Sequence, residues 1–217
     1  MTARLEGGVA CLRATSLRIA AVLALTFTAS LLVMSAGARA DGLELCAGYS
    51  GCSSGAFTTN GYQNAAGQSW WRMYAGINCT NYAAYVESQV YGVPEPALLL
   101  GNAYQWAANA ASAGIPVNQT PTVGSVAVWA AGAPGMGGFG HVAVVEAVGP
   151  GASYIDVSQS GMGTAADGFE WEQISRGPAW EPWPSDFIHF QGPAVPGTMP
   201  PPGQRVGGAQ LTAAGGY

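Results

Sequence analysis

The fold of this chain is decided by residues 76–92, which read GINCTNYAAYVESQVYG. Asn78 is a favourable N-cap, and Gly92 and Pro94 are typical of the residues that follow a helix end. Apolar residues recur at a spacing that places them on one helix face, and they are Tyr82, Ala83, Val86 and Val90. The stretch therefore predicts an amphipathic helix that begins at Cys79.

Cys79 would be the first residue of this helix, where the chemistry of a thiol changes. Unpaired backbone N–H groups and the positive end of the helix dipole favour an anion there, so they lower the pKa of a thiol. A nucleophilic cysteine can be activated in this way. The alternative is a small, buried and unreactive side chain, because free cysteine is among the most buried residue types. Position alone leaves both interpretations open.

Residues 1–40 have the pattern of a secretory signal peptide. Three arginines precede an apolar run over residues 19–34, and Ala38-Arg39-Ala40 ends in small residues at its first and third positions. We expect cleavage after Ala40 and a secreted, extracytoplasmic location in the cell envelope or beyond. An uncleaved anchor is the alternative, but an apolar run of about 16 residues is shorter than the roughly 20 that span a bilayer.

The chain that remains after this cleavage is acidic. Glu6 leaves with the signal peptide, so three arginines face eleven carboxylates and give a formal net charge of −8, and the chain contains no lysine. Nucleic acid and anionic lipid are both recognised through Lys and Arg. The composition therefore argues against nucleic acid as a partner and against electrostatic docking on a membrane. We also expect no stable membrane insertion after cleavage.

Three cysteines remain in the exported chain. Cys46 and Cys52 flank a glycine-containing loop that can close into a local disulfide in an oxidising compartment. Residues 41–61 are therefore interpreted as an N-terminal loop stapled by this disulfide. Cys79 is then the odd thiol, which favours a chemical role. A pairing of Cys79 with one of the other two cysteines stays open, as does a disulfide-linked dimer.

The rest of the chain divides into a helical part, a strand-rich part and a tail. A second helical pattern runs from Gly101 to Gly114. The β-rich runs follow it, at residues 125–129, 141–148, 154–158, 169–174 and 187–190. Helices followed by strands predict an α+β domain over residues 62–190, with helices packed on a mostly antiparallel sheet. Residues 191–217 are rich in Pro, Gly and Ala, which predicts a disordered tail.

The chain offers two histidines as the base that a thiol nucleophile needs. His141 opens a β-rich run after Gly137-Gly138-Phe139-Gly140, whose small residues allow a substrate backbone to approach the imidazole. His189 lies among aromatic and branched residues, which is typical of a packing or surface role. His141 is therefore the candidate general base.

A third residue should orient the imidazole, and the next strand supplies the candidates. Side-chain alternation puts Asp156 and Ser158 on one face of that strand and Gln159 on the other, and the sequence alone does not choose between the faces. Glu146 is five residues from His141 on the same strand, so it is expected to point to the opposite face. A carboxamide can hold an imidazole through its carbonyl oxygen without carrying a charge.

Five segments, in order along the chain, together resemble a known family. They are Asn78–Tyr82, Gly101–Ala107, Pro121–Trp129, Gly140–Glu146 and Phe187–Phe190. They resemble the CHAP family, the cysteine- and histidine-dependent amidohydrolases and peptidases, over residues from about Trp70 to Phe190. The resemblance implies a papain-like α+β fold with Cys79 as the nucleophile and His141 as the general base. It also implies hydrolysis of peptidoglycan, by an N-acetylmuramoyl-L-alanine amidase or an endopeptidase.

One position departs from the family pattern. The family usually has a glutamate on the strand after the histidine, within a Val-Ser-Glu-like run, but this chain reads Val157-Ser158-Gln159. If Gln159 orients His141, the imidazolium loses electrostatic stabilisation and activity is expected to fall. The alternative function is therefore a secreted wall-binding module that keeps the fold with weakened or absent catalysis.

The last expectations concern substrate contacts, cofactors and assembly. Asn81, Trp106, Trp129 and Phe139 are candidates to line a groove for glycan or peptide, although a core position is the alternative for each aromatic residue. Two histidines and one unpaired cysteine do not make a convincing zinc set, so no metal or other cofactor is expected. We expect a monomer whose partner is peptidoglycan.

Overall fold

The computed structural model of the chain describes residues 42–177 and 183–192. The predicted signal peptide, residues 1–40, lies outside these ranges, as do residues 193–217 of the predicted tail. Within the described ranges, no helix is long and apolar enough to cross a membrane.

The helices are short and precede most of the strands. They are α1 (Gly48–Gly51), α2 (Cys79–Tyr85) and α3 (Trp106–Ser112). Helix α2 continues as a π-helical turn over Val86–Val90, and single 3₁₀ turns lie at Tyr62–Asn64, Ala103–Gln105 and Pro150–Ala152. The predicted helix start at Cys79 is confirmed, since the Asn78 side chain caps α2. The second helical pattern is also confirmed, as a 3₁₀ turn that leads into α3.

Seven strands form one sheet. They are β1 (Leu43–Ala47), β2 (Val117–Asn118), β3 (Val126–Trp129), β4 (His141–Val148), β5 (Tyr154–Ser160), β6 (Phe169–Ser175) and β7 (Asp186–Ile188). Their order across the sheet is β1-β6-β5-β4-β3-β7-β2, and every neighbouring pair is antiparallel. The predicted α+β class, with a mostly antiparallel sheet, is confirmed.

Helix α2 positions the thiol because its apolar face packs on the middle of the sheet, against β4 and β5. Tyr82, Ala83 and Val86 are completely buried, as the helical spacing predicts. They belong to one apolar cluster together with Val142 and Phe169 of the sheet. Burying this face stabilises the short helix more than helix propensity does.

The opposite face of the sheet carries a second apolar cluster. Its members alternate along the strands with those of the first, and they include Ala127, Trp129, Ala143, Val157 and Phe187. His141 and Gln159 have the same strand parity as these residues, since they lie two positions before Ala143 and two after Val157. The middle strands are therefore buried on both faces.

The N-terminal segment differs from the expectation of a loop, since residues 43–47 form the edge strand β1. It pairs with β6, with Leu43 opposite Gln173 and Ala47 opposite Glu170. Leu43 is 63% exposed, and the alternation in Leu43-Glu44-Leu45 is too short to predict a strand beside a stretch rich in Gly, Ser, Thr and Asn. A disulfide joins Cys46 of β1 to Cys52 after α1, and their Cα atoms are 5.4 Å apart. The two-residue strand β2 is likewise too short to leave a sequence signal.

Candidate active site

Cys79 is held in place by a network around its N-cap. Oδ1 of Asn78 accepts hydrogen bonds from the backbone N–H of Asn81 at 2.8 Å and from Oγ1 of Thr80 at 3.0 Å. Nδ2 of Asn78 donates to the Tyr74 carbonyl at 2.7 Å. The N-cap side chain therefore ties the first turn of α2 to the preceding loop, and the thiol lies at the start of that turn.

His141 is the first residue of β4, and its position depends on the glycine before it. Gly140 has a φ of +68°, and a Cβ there would lie 2.5 Å from the Trp129 carbonyl oxygen. Only glycine tolerates both the conformation and the close approach. The imidazole is 2% exposed and lies against Trp129, with 5.6 Å between the ring centroids. His141 is therefore fixed by the backbone before it and by the ring beside it.

Cys79 and His141 are hydrogen-bonded through their side chains, and each shifts the other's pKa. Burial alone would raise the pKa of the Cys79 thiol, but the charge and hydrogen bond of His141 outweigh it. Backbone N–H groups of Val142 and Thr80 act in the same direction, so this pKa is lowered. Burial would lower the pKa of His141, but the charge and hydrogen bond of Cys79 exceed that effect and raise it. The arrangement favours a thiolate–imidazolium pair, as nucleophilic cysteine sites require.

Gln159 holds the other side of the imidazole. Its Oε1 lies 2.6 Å from Nε2 of His141. Because an amide oxygen can only accept, Nε2 must carry the proton and donate it. This bond leaves Nδ1 as the ring nitrogen for Cys79.

The other two candidates for the orienting residue point elsewhere. Ser158 lies on the helix side of the sheet, where its Oγ is 2.7 Å from the Tyr82 hydroxyl and donates to Oε1 of Glu146 at 2.6 Å. Asp156 accepts a hydrogen bond from Gln173 at 2.9 Å. Glu146 thus faces away from His141, as strand alternation predicts, and Gln159 alone of the three bonds the imidazole.

Two further carboxyl groups adjoin Gln159, and the sequence reasoning missed them. Nε2 of Gln159 donates to Oε1 of Glu170 at 2.7 Å and to Oε2 of Glu172 at 2.9 Å. Both glutamates lie on β6 and are buried. The Glu-Trp-Glu alternation on this strand could have indicated them in the sequence. Two charged residues on one face of a buried strand need polar partners.

The structure buries three of the four residues that were predicted to line a substrate groove. Asn81 is completely buried and bonds Trp70 N, the Tyr62 hydroxyl and the Gln68 carbonyl, so it holds the loop before α2. Trp106 is a core residue, and Trp129 is buried beside His141. Phe139 differs from them, since it is 71% exposed two residues before His141. Whether a tryptophan ring is buried depends on the space that the folded core leaves for it, and the sequence does not show that space.

His189 has the packing role that its sequence context predicts. It is 4% exposed, and its Nδ1 lies 3.1 Å from Oγ1 of Thr122. Burial lowers its pKa. Its hydrogen bond therefore connects the residue after β7 to the loop before β3 instead of serving the thiol.

Comparison with known proteins points to one family. The CHAP domain model matches residues 68–161, which contain Cys79, His141 and Gln159. A protein from Streptococcus mutans, named as a hydrolase, is 47% identical over 49 residues, which are 23% of this chain and 21% of that protein. This chain therefore matches about a fifth of that relative's length.

Solved structures give two further likenesses. An N-acetylmuramoyl-L-alanine amidase from Staphylococcus aureus is 27% identical, with a TM-score of 0.44, over 53% of this chain and 30% of the amidase. A structure of Ly7917 with the hydrolysing product of MDP is 16% identical, with a TM-score of 0.40, over 52% of this chain and 54% of the other. The bounds of the domain are taken from the match to the CHAP domain model and not from these two structural alignments. The resemblance to the CHAP family is thus confirmed over residues 68–161.

Proposed function

We propose that this protein is a secreted cysteine hydrolase that cleaves amide bonds in peptidoglycan. The observation that carries the proposal is the hydrogen-bonded series of Cys79, His141 and Gln159 within the CHAP-matching segment. The thiol pKa is lowered and the imidazole pKa is raised, which is the state from which a thiolate attacks.

The reaction would proceed through an acyl-enzyme. The Cys79 thiolate attacks the amide carbonyl carbon, and a C–S bond forms while the carbonyl π electrons move to oxygen. The backbone N–H of Cys79 would donate to this oxyanion together with a second donor. Imidazolium His141 then gives its proton to the leaving amine as the C–N bond breaks. Water, deprotonated by His141, hydrolyses the thioester and restores the thiol.

The bond that is cut is one of two kinds. Cleavage between N-acetylmuramic acid and L-alanine would make the protein an amidase. Cleavage within the stem peptide or cross-bridge would make it an endopeptidase. Both reactions use the same attack on an amide carbonyl, and both fit an acidic chain without lysine.

Secretion is part of the proposal, and the sequence of residues 1–40 motivates it. The Cys46–Cys52 disulfide supports it independently, because local disulfides persist in oxidising compartments outside the cytoplasm. We propose that the exported protein acts as a monomer on the cell wall. Sequencing of the mature N-terminus would test the expected cleavage after Ala40.

A wall-binding module without catalysis is the second candidate. The observation that favours it is the amide at position 159, since a neutral side chain touches the imidazole where the family pattern expects a carboxylate. A binding module would retain affinity for peptidoglycan while Cys79 reacts like an ordinary thiol, with a pKa of about 8.5.

Mass spectrometry of purified peptidoglycan after incubation with the protein would separate these functions, with Cys79→Ser as the control. Glycan freed of stems would identify an amidase, and shortened stems or opened cross-links an endopeptidase. If folded, reduced protein gives no product that depends on Cys79, the hydrolase proposal fails and the binding module takes its place.

A further inference from the structure

Gln159 is bonded at both ends of its amide group. Its carbonyl oxygen accepts from His141, and its nitrogen donates to Glu170 and Glu172. The nitrogen has two N–H bonds and therefore satisfies both carboxyl groups. All four side chains are buried, so each of these bonds is made away from bulk water.

The two glutamates fix which way the amide faces. A rotation of the amide by 180° would set its oxygen against two carboxyl groups and its N–H bonds against the Nε2–H of His141. Each contact would then join two acceptors or two donors, and buried polar groups without partners destabilise a folded protein. The amide oxygen is therefore held toward His141 by groups that never touch the imidazole.

The strand register places these glutamates. Glu170 is opposite Gln159 in the β5–β6 pairing, and Glu172 is opposite Val157. Oε2 of Glu170 also accepts from the backbone N–H of Thr164 at 3.3 Å. Glu44 of the edge strand is in turn opposite Glu172. Among the described residues, Cys79 of α2 and Glu172 of β6 act on the imidazole through their charge, and Glu170 adjoins Gln159.

Negative charge on β6 also acts on the imidazole directly. Glu172 raises the pKa of His141 through its charge, although Gln159 lies between them. In a buried site, a charge one residue farther away still stabilises a cation, because little water screens it. A carboxylate on the far side of Gln159 can thus provide part of the electrostatic stabilisation of the imidazolium that a carboxylate at position 159 would provide.

We infer that Glu170 and Glu172 are positioning residues of the Cys79 site: they orient Gln159 and supply, from behind it, the negative charge that stabilises the imidazolium of His141. This inference rests on the proposed function of Cys79 as a nucleophile. It also accounts for the amide at position 159. A glutamate there would meet two other carboxyl groups without a donor between them, whereas glutamine supplies one donor to each.

The test is the pH dependence of Cys79 alkylation by iodoacetamide, measured on the Cys79 peptide by mass spectrometry. The proteins are the wild type, Glu170→Gln, Glu172→Gln and the double variant. Glu95→Gln is the matched control, since Glu95 is an exposed partner of Arg72. We expect the midpoint of alkylation to rise by on the order of one pH unit in the double variant and to stay unchanged in the control. Melting temperatures identify any variant that is merely unfolded.

A second variant relocates the charge. In Gln159→Glu/Glu170→Gln/Glu172→Gln, one carboxylate touches His141 and two amides lie behind it as donors. This triple variant is expected to restore the low alkylation midpoint that the double variant loses, which a purely structural role for β6 would not produce. If the double variant fails to fold, the single variants Glu170→Gln and Glu172→Gln carry the test, and each is expected to raise the alkylation midpoint.

The outcomes separate this inference from the proposed function. A wild-type Cys79 that titrates like an ordinary thiol would refute the nucleophile itself. A wild type with a depressed midpoint, together with a folded double variant of the same midpoint, would overturn the role of the glutamates alone. A folded triple variant with an ordinary thiol midpoint would also overturn it.

Discussion

Oε1 of Gln159 accepts a hydrogen bond from Nε2 of His141 at 2.6 Å, so a neutral amide orients the imidazole of this site. The bond selects the tautomer in which Nδ1 is left to serve Cys79. A single carboxylate could both orient the imidazole and stabilise its positive charge. In this site Gln159 orients the imidazole, and the glutamates behind it supply the negative charge.

Replacing Gln159 by methionine should lower kcat while the substrate KM changes little. Methionine keeps the volume, but its thioether sulfur is only a weak acceptor for the Nε2–H group, so the tautomer of the imidazole is no longer fixed. We expect a loss on the order of 10²-fold in peptidoglycan hydrolysis. Gln173→Met is the matched control, since Gln173 bonds Asp156 on the adjacent strand. Wild-type kcat in Gln159→Met would show that the bond does not orient the base.

The pH dependence of kcat/KM should be bell-shaped. Activity rises with pH as Cys79 loses its proton, and the lowered pKa of the thiol places this limb below the ordinary thiol range. Activity falls at higher pH when His141 loses the proton that the leaving amine needs, and the raised pKa of the imidazole places that limb above the ordinary imidazole range. A profile that rises once, near an ordinary imidazole pKa, and shows no alkaline limb would instead indicate a neutral thiol–imidazole pair.

Asn78→Ala should destabilise the protein and slow the chemistry together. The variant loses the cap of α2, which costs about 1 kcal/mol in the free energy of unfolding, and also frees the loop that holds Cys79. Urea unfolding measures the first effect, and Cys79 alkylation at fixed pH measures the second. Asn118→Ala is the control, because Oδ1 of Asn118, the exposed last residue of β2, likewise accepts a hydrogen bond from the backbone N–H two residues later, that of Thr120. Equal effects of the two variants would contradict a special role for the cap.

Glu87→Gln should make stability less dependent on pH. Glu87 is completely buried in the π-helical turn after α2, and burial raises its pKa well above the ordinary value. The unfolded chain therefore releases this proton at lower pH than the folded protein does, so the wild type loses stability as pH rises from the ordinary pKa toward the folded one. Urea unfolding at pH 5 and pH 7 measures the difference for both proteins. An identical loss of stability between these pH values in both would contradict a protonated Glu87.

The sequence alone determined the elements that carry the site. The N-cap at Asn78, the helical spacing after Cys79 and the β-rich runs that became β3 to β7 are local signals, because caps and periodic burial act within a few residues. The order of helices and strands was enough for the α+β class. The same local patterns, with their residue types, carried the resemblance to the CHAP family.

Tertiary structure decided what local patterns cannot express. β1 is a five-residue edge strand, and its pairing with β6 joins residues about 130 positions apart, which a short local pattern does not predict. Trp106, Trp129 and Asn81 are buried because neighbours distant in sequence enclose them. The choice of Gln159 over Asp156 and Ser158 depended on which face of β5 meets His141, the first residue of β4. The glutamates behind Gln159 follow from strand register, which is set by pairing across the sheet and not by the order of residues along one strand.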